Sequence, residues 1–203
     1  MNGLEKDKIS TIELARPDIE IIESEDIYRE QNGLMELSGR LIPVDIDLDN
    51  SGDWTVLPNG DRIWRVQINA EAALATELFF SEFQLPLNSS LYIYDPSGEQ
   101  LLGGYTAANN HGSGLFATDL INGESSIIEY HEPANVHGMG VNRISDVGYS
   151  YRNVPGMDTK AQDCEVDVKC DPEGNDWFDQ INSVVRIRTV SSQGIGCLLY
   201  TSP

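Results

Sequence analysis

Residues 52–68 read GDWTVLPNGDRIWRVQI, a stretch that combines a tight turn with an alternating strand. The turn is Pro58-Asn59-Gly60-Asp61, and its Asn-Gly pair tolerates the positive φ angles of a short hairpin. From Arg62 to Ile68 apolar and polar residues alternate, so Val66 and Ile68 share one face of a strand. The stretch therefore predicts an antiparallel hairpin with one buried face.

Other short segments of the chain carry the same strand pattern, and glycine, asparagine and proline turns separate them. We predict strands within residues 34–48 and over Leu74–Phe83, Ser90–Tyr94, Leu101–Tyr105, Leu115–Leu120, Ser126–His131 and Arg143–Tyr151. Short strands at this spacing are typical of two packed antiparallel sheets. The sequence predicts a mainly β chain built on an antiparallel β-sandwich.

Residues 1–33 are expected to form a loosely attached leader. Ile19, Ile21 and Ile22 follow Pro17 and suggest a short strand. Ser24, followed by acidic residues, suggests the N-cap of a two-turn helix that ends near Gly33.

The chain is strongly acidic, with 13 Lys and Arg against 33 Asp and Glu and a net charge of −20. Binding to nucleic acid or to an anionic membrane requires basic clusters, so neither partner is expected. No apolar run reaches the length of about 18 residues that a transmembrane helix needs. The start, MNGLEKDKIS, lacks the apolar region of a signal peptide, which fits a cytosolic protein or a chain whose true start lies upstream.

Three aspartates, Asp45, Asp47 and Asp49, suggest a calcium loop at first sight. An EF-hand loop that starts at Asp45 needs Gly at position 50 and Glu at position 56, but Asn50 and Val56 stand there. We therefore interpret the aspartates as the exposed side of a strand that turns at residues 50–52. No metal site and no cofactor are predicted.

The histidines are His111, His131 and His137, and each lies in or beside a turn. No Gly-x-Ser-x-Gly motif accompanies them, and His131, Glu132 and His137 lack the spacing of a recognised zinc site. We predict structural or solvent-exposed histidines and no catalytic residue among them.

Residues 163–189 read DCEVDVKCDPEGNDWFDQINSVVRIRT and contain two of the three cysteines. Cys164 and Cys170 flank an alternating, half-exposed strand, and a Val/Ile strand follows from Ser183 to Thr189. Along a straight strand the two cysteines lie roughly 20 Å apart, beyond the reach of a disulfide, which is about 7 Å between Cα atoms. Each therefore needs another partner, with Cys197 as the only other cysteine, unless all three are reduced thiols.

The order Cys-x5-Cys, Glu-Gly-x-x-Trp, Ser-Val-x-Arg resembles the start of the mature catalytic domain in bacterial lysyl endopeptidase-like serine proteases of the trypsin fold. Short motifs upstream resemble the pro-region sandwich of the same family. They are Gly52-Asp53-Trp54, Ile63-Trp64-Arg65, Leu91-Tyr92-Ile93-Tyr94-Asp95 and Gly148-Tyr149-Ser150-Tyr151-Arg152.

The resemblance implies a secreted or periplasmic precursor whose Ser-His-Asp triad follows the last residue of this chain, so no catalytic residue is assigned here. It also implies disulfides from Cys164, Cys170 and Cys197 to segments that are absent. The implied domains are a leader at 1–33, a sandwich pro-domain at 34–152, a linker at 153–162 and the first strands of a truncated trypsin-like β-barrel at 163–203. Residues 198–203 depart from the family pattern and look like a translated sequencing adapter; a divergent strand or a chance match is the alternative.

Lysine occurs only at positions 6, 8, 160 and 169. A protease that cuts after lysine leaves the region between Lys8 and Lys160 whole, so we predict self-processing between Lys160 and Ala161. A lysine-poor composition alone explains the same gap.

We expect the front part of a secreted serine endopeptidase precursor that prefers Lys or Arg at the cut. This part is expected to be inactive, with its own catalytic domain and protein substrates as partners. The alternative is a non-catalytic extracellular β-sandwich module that binds carbohydrate or another partner through Trp54, Trp64, Tyr92 and Tyr94, although we expect one or both tryptophans to belong to the core.

Overall fold

The computed structural model describes residues 9–34, 37–152, 184–191 and 194–201. The chain is mainly β, as the sequence predicts, and its described strands form two sheets without a closed barrel. Contacts divide the chain into two compact units, Met1–Pro17 with Leu41–Tyr151 and Asp18–Arg40 with Arg152–Pro203. The described residues contain no helix that is long and apolar enough to cross a membrane.

The strands and the α-helix follow one another in this order: β1 Thr11–Glu13, α1 Ile19–Gln31, β2 Leu37–Asp47, β3 Asp53–Val56, β4 Arg62–Asn69, β5 Ala75–Gln84, β6 Ser90–Tyr94, β7 Leu101–Tyr105, β8 Phe116–Ala117, β9 Ile121–Asn122, β10 Ser125–Glu132, β11 Val141–Ser150, β12 Val184–Ser191 and β13 Gly194–Thr201. Short 3-10 turns lie at Ala107–Asn109 and Ala134–Val136.

The first sheet belongs wholly to the first unit and has the strand order β1-β4-β10-β6-β7, with β3 also paired to β4. The hairpin predicted from residues 52–68 is present as β3 and β4, which pair antiparallel. At its tip Gly60 has a φ of 87°, and the backbone N–H of Leu57 donates to the carbonyl of Asp61 at 2.7 Å. The left-handed conformation explains why glycine stands at this position.

The second sheet of the first unit contains β2 from Leu41 onward, then β11 and β5, with β8 and β9 on two parts of β5. The strand predicted over Leu115–Leu120 is wrong in length, because only Phe116–Ala117 is extended and paired. Thr118 ends the pairing, since its side-chain oxygen accepts the backbone N–H of Leu78 at 3.0 Å. Its own N–H donates to the Leu78 carbonyl.

The core lies between the inward faces of these two sheets, where Trp64, Tyr130, Tyr149 and Phe83 are the largest fully buried side chains. Trp64 is fixed by a hydrogen bond from its Nε1 to the carbonyl of Ser51 at 2.7 Å. Gly52, next in the chain, has a φ of 69°, and a Cβ atom there would lie 2.5 Å from the Arg65 carbonyl oxygen. Only glycine fits this position, because a side chain would meet both strain and backbone.

In the second unit, α1 begins at Ile19, so the predicted strand at residues 19–22 and the N-cap at Ser24 are wrong. Asp18 is the N-cap, since its Oδ1 accepts the N–H groups of Glu20 and Ile21. Ser24 instead lies inside the helix, and its hydroxyl donates to the Ile21 carbonyl at 2.7 Å. The helix ends before Gly33, as predicted.

The second unit also contains the antiparallel hairpin of β12 and β13, with Val184 opposite Thr201. The strand predicted over Ser183–Thr189 is thus present as β12. The backbone of β13 pairs with the beginning of β2 at Gly39 and Leu37. The predicted domain boundaries and the trypsin-like barrel stay predictions.

Candidate functional site

One group of charged side chains lies at the end of the first sheet, where β4 begins and β10 ends. His131 Nε2 lies 3.1 Å from Asp61 Oδ2, and the other oxygen of Asp61 accepts the N–H of Ala134 at 2.9 Å. The hydrogen bond from Ala134 lowers the pKa of the Asp61 carboxyl below its ordinary value, and hydrogen bonds from Asn59 and His131 act in the same direction. Asp61 is therefore a stable anion that holds the turn after β10.

Glu132 lies beside this pair, with a side chain that is 0% exposed. It forms an ion pair with Arg62 Nε and accepts the N–H of Gly138 at 3.1 Å and the hydroxyl of Tyr130 at 3.4 Å. The guanidinium of Arg62 in turn stacks on the Trp54 ring, 3.9 Å from its centre. A buried carboxylate with these partners fastens residues 133–140 to the sheet.

A His–Asp pair is two thirds of a catalytic triad, but a nucleophile must lie within hydrogen-bond reach of the histidine. The described contacts place no serine or cysteine at His131. A different histidine, His111, lies 2.8 Å from the hydroxyl of Ser113, in an exposed loop. That hydroxyl also accepts the N–H of Leu115 at 3.2 Å, and the contacts described for His111 include no carboxylate. The His–Asp pair and the Ser–His pair thus involve different histidines, and the described contacts do not form a complete Ser-His-Asp triad.

The remaining residues considered for metal binding are His137 and the aspartates of residues 45–49. His137 is exposed, and the described residues contain no cluster of three His, Cys, Asp or Glu that suits a metal ion. Asp45 and Asp47 both face Arg143, at 2.7 Å and 3.8 Å. Asp47 also accepts the N–H groups of residues 49 and 50, both at 2.8 Å. These bonds agree with the interpretation of residues 45–52 as a strand followed by a turn.

The outward side of the first sheet presents a second polar group. Arg65 Nε donates to Glu129 Oε2 at 2.7 Å, and the Tyr94 hydroxyl donates to the same oxygen at 3.1 Å. Burial, followed by the neighbouring Glu129 carboxylate, raises the pKa of Tyr94 to about 12. Tyr94 is therefore a neutral donor at physiological pH.

The four aromatic residues of the alternative binding platform do not share a face. Trp64 is 1% exposed and belongs to the core. Trp54 is partly buried and packs against the core from the neighbouring strand β3. Trp54 lies edge-on to Tyr130, with 6.1 Å between the ring centres. Leu91 and Ile93 are buried in the core, so Tyr92 and Tyr94 alternate with them and point outward. Only the two tyrosines are available for a platform.

The second sheet has an apolar hollow of about 330 Å³ beside β5, β8 and β11. Its lining residues are Phe79, Phe80, Ser81, Leu115, Phe116, Ala117 and Ser145. Neither an acid nor a base lines it, so it has no group for proton transfer.

Most of the processing and disulfide residues predicted between positions 160 and 197 lie outside the part of the chain that the structure describes. Lys160, Ala161, Cys164 and Cys170 lie outside the described residues. Cys197 lies in β13, and its backbone is paired with Arg188.

Neither a known protein-family model nor a solved structure matches this chain.

Proposed function

We propose that residues 1–160 act as the pro-region of a secreted serine endopeptidase and that residues 163–203 begin its catalytic domain. The Ser-His-Asp triad, which cleaves peptide bonds by acyl transfer, then lies in sequence beyond residue 203. In this proposal the sandwich assists the folding of the catalytic domain and blocks its site until it is cut away. The resemblance in residues 52–65, 91–95, 148–152 and 163–186 supports this role.

The distribution of lysine carries the proposal furthest. The 151 residues between Lys8 and Lys160 contain no lysine, and they include the whole described sandwich. Arginine does occur there, for example at Arg65 and Arg152. An interval that retains arginine but lacks lysine favours lysine at the cut.

The described side chains are consistent with a non-catalytic role for the sandwich. The described contacts of His131 and Asp61 include no serine or cysteine nucleophile, and those of His111 with Ser113 include no carboxylate. The charged groups at the end of the first sheet are instead bonded to the backbone of residues 134 and 138.

The test is expression of the full-length gene in its natural secretion pathway. We expect a Thr-Ala-x-His motif soon after residue 197 and a Gly-x-Ser-Gly motif further on, together with cleavage of lysyl peptides. A Lys160→Gln variant is expected to accumulate as uncut precursor, whereas the control Lys169→Gln is expected to mature normally. A stop codon or an unrelated linker in place of these motifs would overturn the proposal.

A second function, a non-catalytic extracellular binding module, is favoured by the outward position of Tyr92 and Tyr94. The same downstream sequence separates the two functions, because a binding module does not need a catalytic domain behind it.

A further inference from the structure

We infer that the sandwich is built to resist proteases that cut after lysine or arginine, because its basic residues lie only where such an enzyme cannot reach them. Residues 41–151 of the first unit contain no lysine and three arginines, Arg62, Arg65 and Arg143. The inference goes beyond the proposed pro-region role, since it concerns any enzyme of this specificity. Its test does not need the parent gene, so it can fail independently of that role.

The loops between strands are the parts of a folded domain that proteases usually cut. Within residues 41–151 none of these loops contains lysine or arginine. Acidic residues do occur in them, and the exposed ones include Asp49, Glu71, Glu99, Asp119 and Glu124. An enzyme whose specificity pocket takes a basic side chain therefore finds no suitable residue in the exposed loops of this region.

The three arginines lie instead in strands that have neighbours on both sides. β4, which carries Arg62 and Arg65, pairs with β10 on one side and with β3 on the other. β11, which carries Arg143, lies between β2 and β5. A protease binds several residues of its substrate in an extended and unpaired conformation, so these strands must leave their sheets before a bond is cut. Cutting therefore requires the sandwich to open.

The arginine side chains are also engaged, since each is bound to a carboxylate of a neighbouring strand. The pairs are Arg62 with Glu132, Arg65 with Glu129 and Arg143 with Asp45. A specificity pocket would have to break such an ion pair to take up the guanidinium. Arg143 is the most demanding case, because 44% of its side chain is exposed and a bulge follows it in β11.

The expected protection follows from the need for opening. When a domain closes faster than it is cut, the rate of cutting follows the small population of opened molecules. That population is about one molecule in a thousand or fewer for an ordinary stable domain. In the proposed precursor this protection keeps the sandwich whole beside its own enzyme until the cut after Lys160.

The test is digestion of the chain 1–203 with trypsin, with the fragments identified by mass spectrometry. Synthetic peptides of residues 58–70 and 139–148 contain the same three arginine bonds and supply the rates for an unfolded substrate. We expect residues 41–151 to stay in one piece in the folded chain. The three bonds should be cut roughly a thousandfold more slowly there than in the peptides.

A gain-of-site variant tests whether the placement of basic residues matters. Gly112 lies in the loop between β7 and β8, where an added Cβ atom meets nothing within 4 Å and φ is outside the left-handed region. Trypsin should cut Gly112→Arg after position 112 at least about a hundredfold faster than after Arg62 in the same chain. The matched control Gly112→Gln should stay whole, and equal thermal unfolding of the two variants establishes that both are folded.

Two results would overturn the inference. One is cutting after any of the three arginines in the folded chain at a rate within tenfold of the peptides. The other is a folded Gly112→Arg variant that trypsin leaves whole, because the loops would then resist the enzyme whatever residues they contain.

Discussion

The buried ion pair of Glu132 and Arg62 should be among the most sensitive points of the sandwich. The Glu132 side chain is 0% exposed, whereas its partner Arg62 is 27% exposed. The variant Glu132→Gln keeps the shape of the side chain but removes its charge. Hydrogen bonds to a charged group contribute about 1.5–3 kcal/mol each, and glutamine keeps one acceptor oxygen. We therefore expect a loss of about 2–3 kcal/mol in the free energy of unfolding.

The matched control is Glu129→Gln, on the same strand and also paired with an arginine of β4. Its side chain is 24% exposed, so water can solvate Arg65 when the charge of Glu129 is removed and offsets part of the lost ion pair. We expect this variant to lose about 0.5–1 kcal/mol, as ion pairs near the surface do. Urea unfolding of the chain 1–203, followed by tryptophan fluorescence, measures both values. Equal losses in the two variants would show that burial of Glu132 is not what makes its pair important.

Three further changes test other parts of the fold. Gly52→Ala should lower the free energy of unfolding by about 3 kcal/mol, because it adds strain at positive φ and a close contact with the backbone. Urea unfolding measures this loss, and a loss below about 1 kcal/mol would contradict the described turn. The pKa of Asp61 is lower in the folded state than in the unfolded state. Its hydrogen bonds therefore stabilise the fold at pH values above the unfolded-state pKa, and this stabilisation is lost as the pH falls through the folded-state pKa. The unfolding free energies of the unchanged chain and Asp61→Asn should therefore differ near pH 6 and converge in acid, and a constant difference would contradict this. The pKa of Tyr94 is raised to about 12 in the folded state. Its contribution to the free energy of unfolding should therefore be complete at pH values below its unfolded-state pKa and disappear as the pH rises through about 12. Absorbance titration near 295 nm of the chain and of Tyr94→Phe should show one tyrosine fewer near pH 12, and a difference near pH 10 would refute the burial of this ring.

The alternation of apolar residues was sufficient to predict most strands. The observed bounds of Ser90–Tyr94 and Leu101–Tyr105 match the predicted ones, and Ser125–Glu132 differs from its prediction by one residue at each end. The physical reason is simple, because a strand with one buried face must alternate. The turn at Asn59-Gly60 was predictable for the same kind of local reason.

The start of α1 was missed although its signal was present. Asp18 follows Pro17 directly and is a good N-cap, but the three isoleucines after it also fit a short strand. The local sequence did not decide between these two readings. The hydrogen bonds of the Asp18 side chain with the first turn decide for the helix.

The polar clusters could not be predicted, because they depend on the order of strands across the sheet. β10 lies between β4 and β6, so Glu129 meets Arg65, which is 64 positions away along the chain. Alternation states which face a residue is on but not which strand lies next to it. Tyr94 is a different case, because Leu91 and Ile93 alternate with Tyr92 and Tyr94, so both faces of this strand carry large apolar side chains and the alternation does not state which face is buried.

The most direct measurement of the proposed function is the N-terminal sequence of the mature protein secreted from the full-length gene. If the lysine-free interval is a pro-region, the mature chain begins at Ala161, and the released fragment ends at Lys160. A mature protein that retains the residues of the sandwich, or one that begins after an arginine within it, would contradict the proposal.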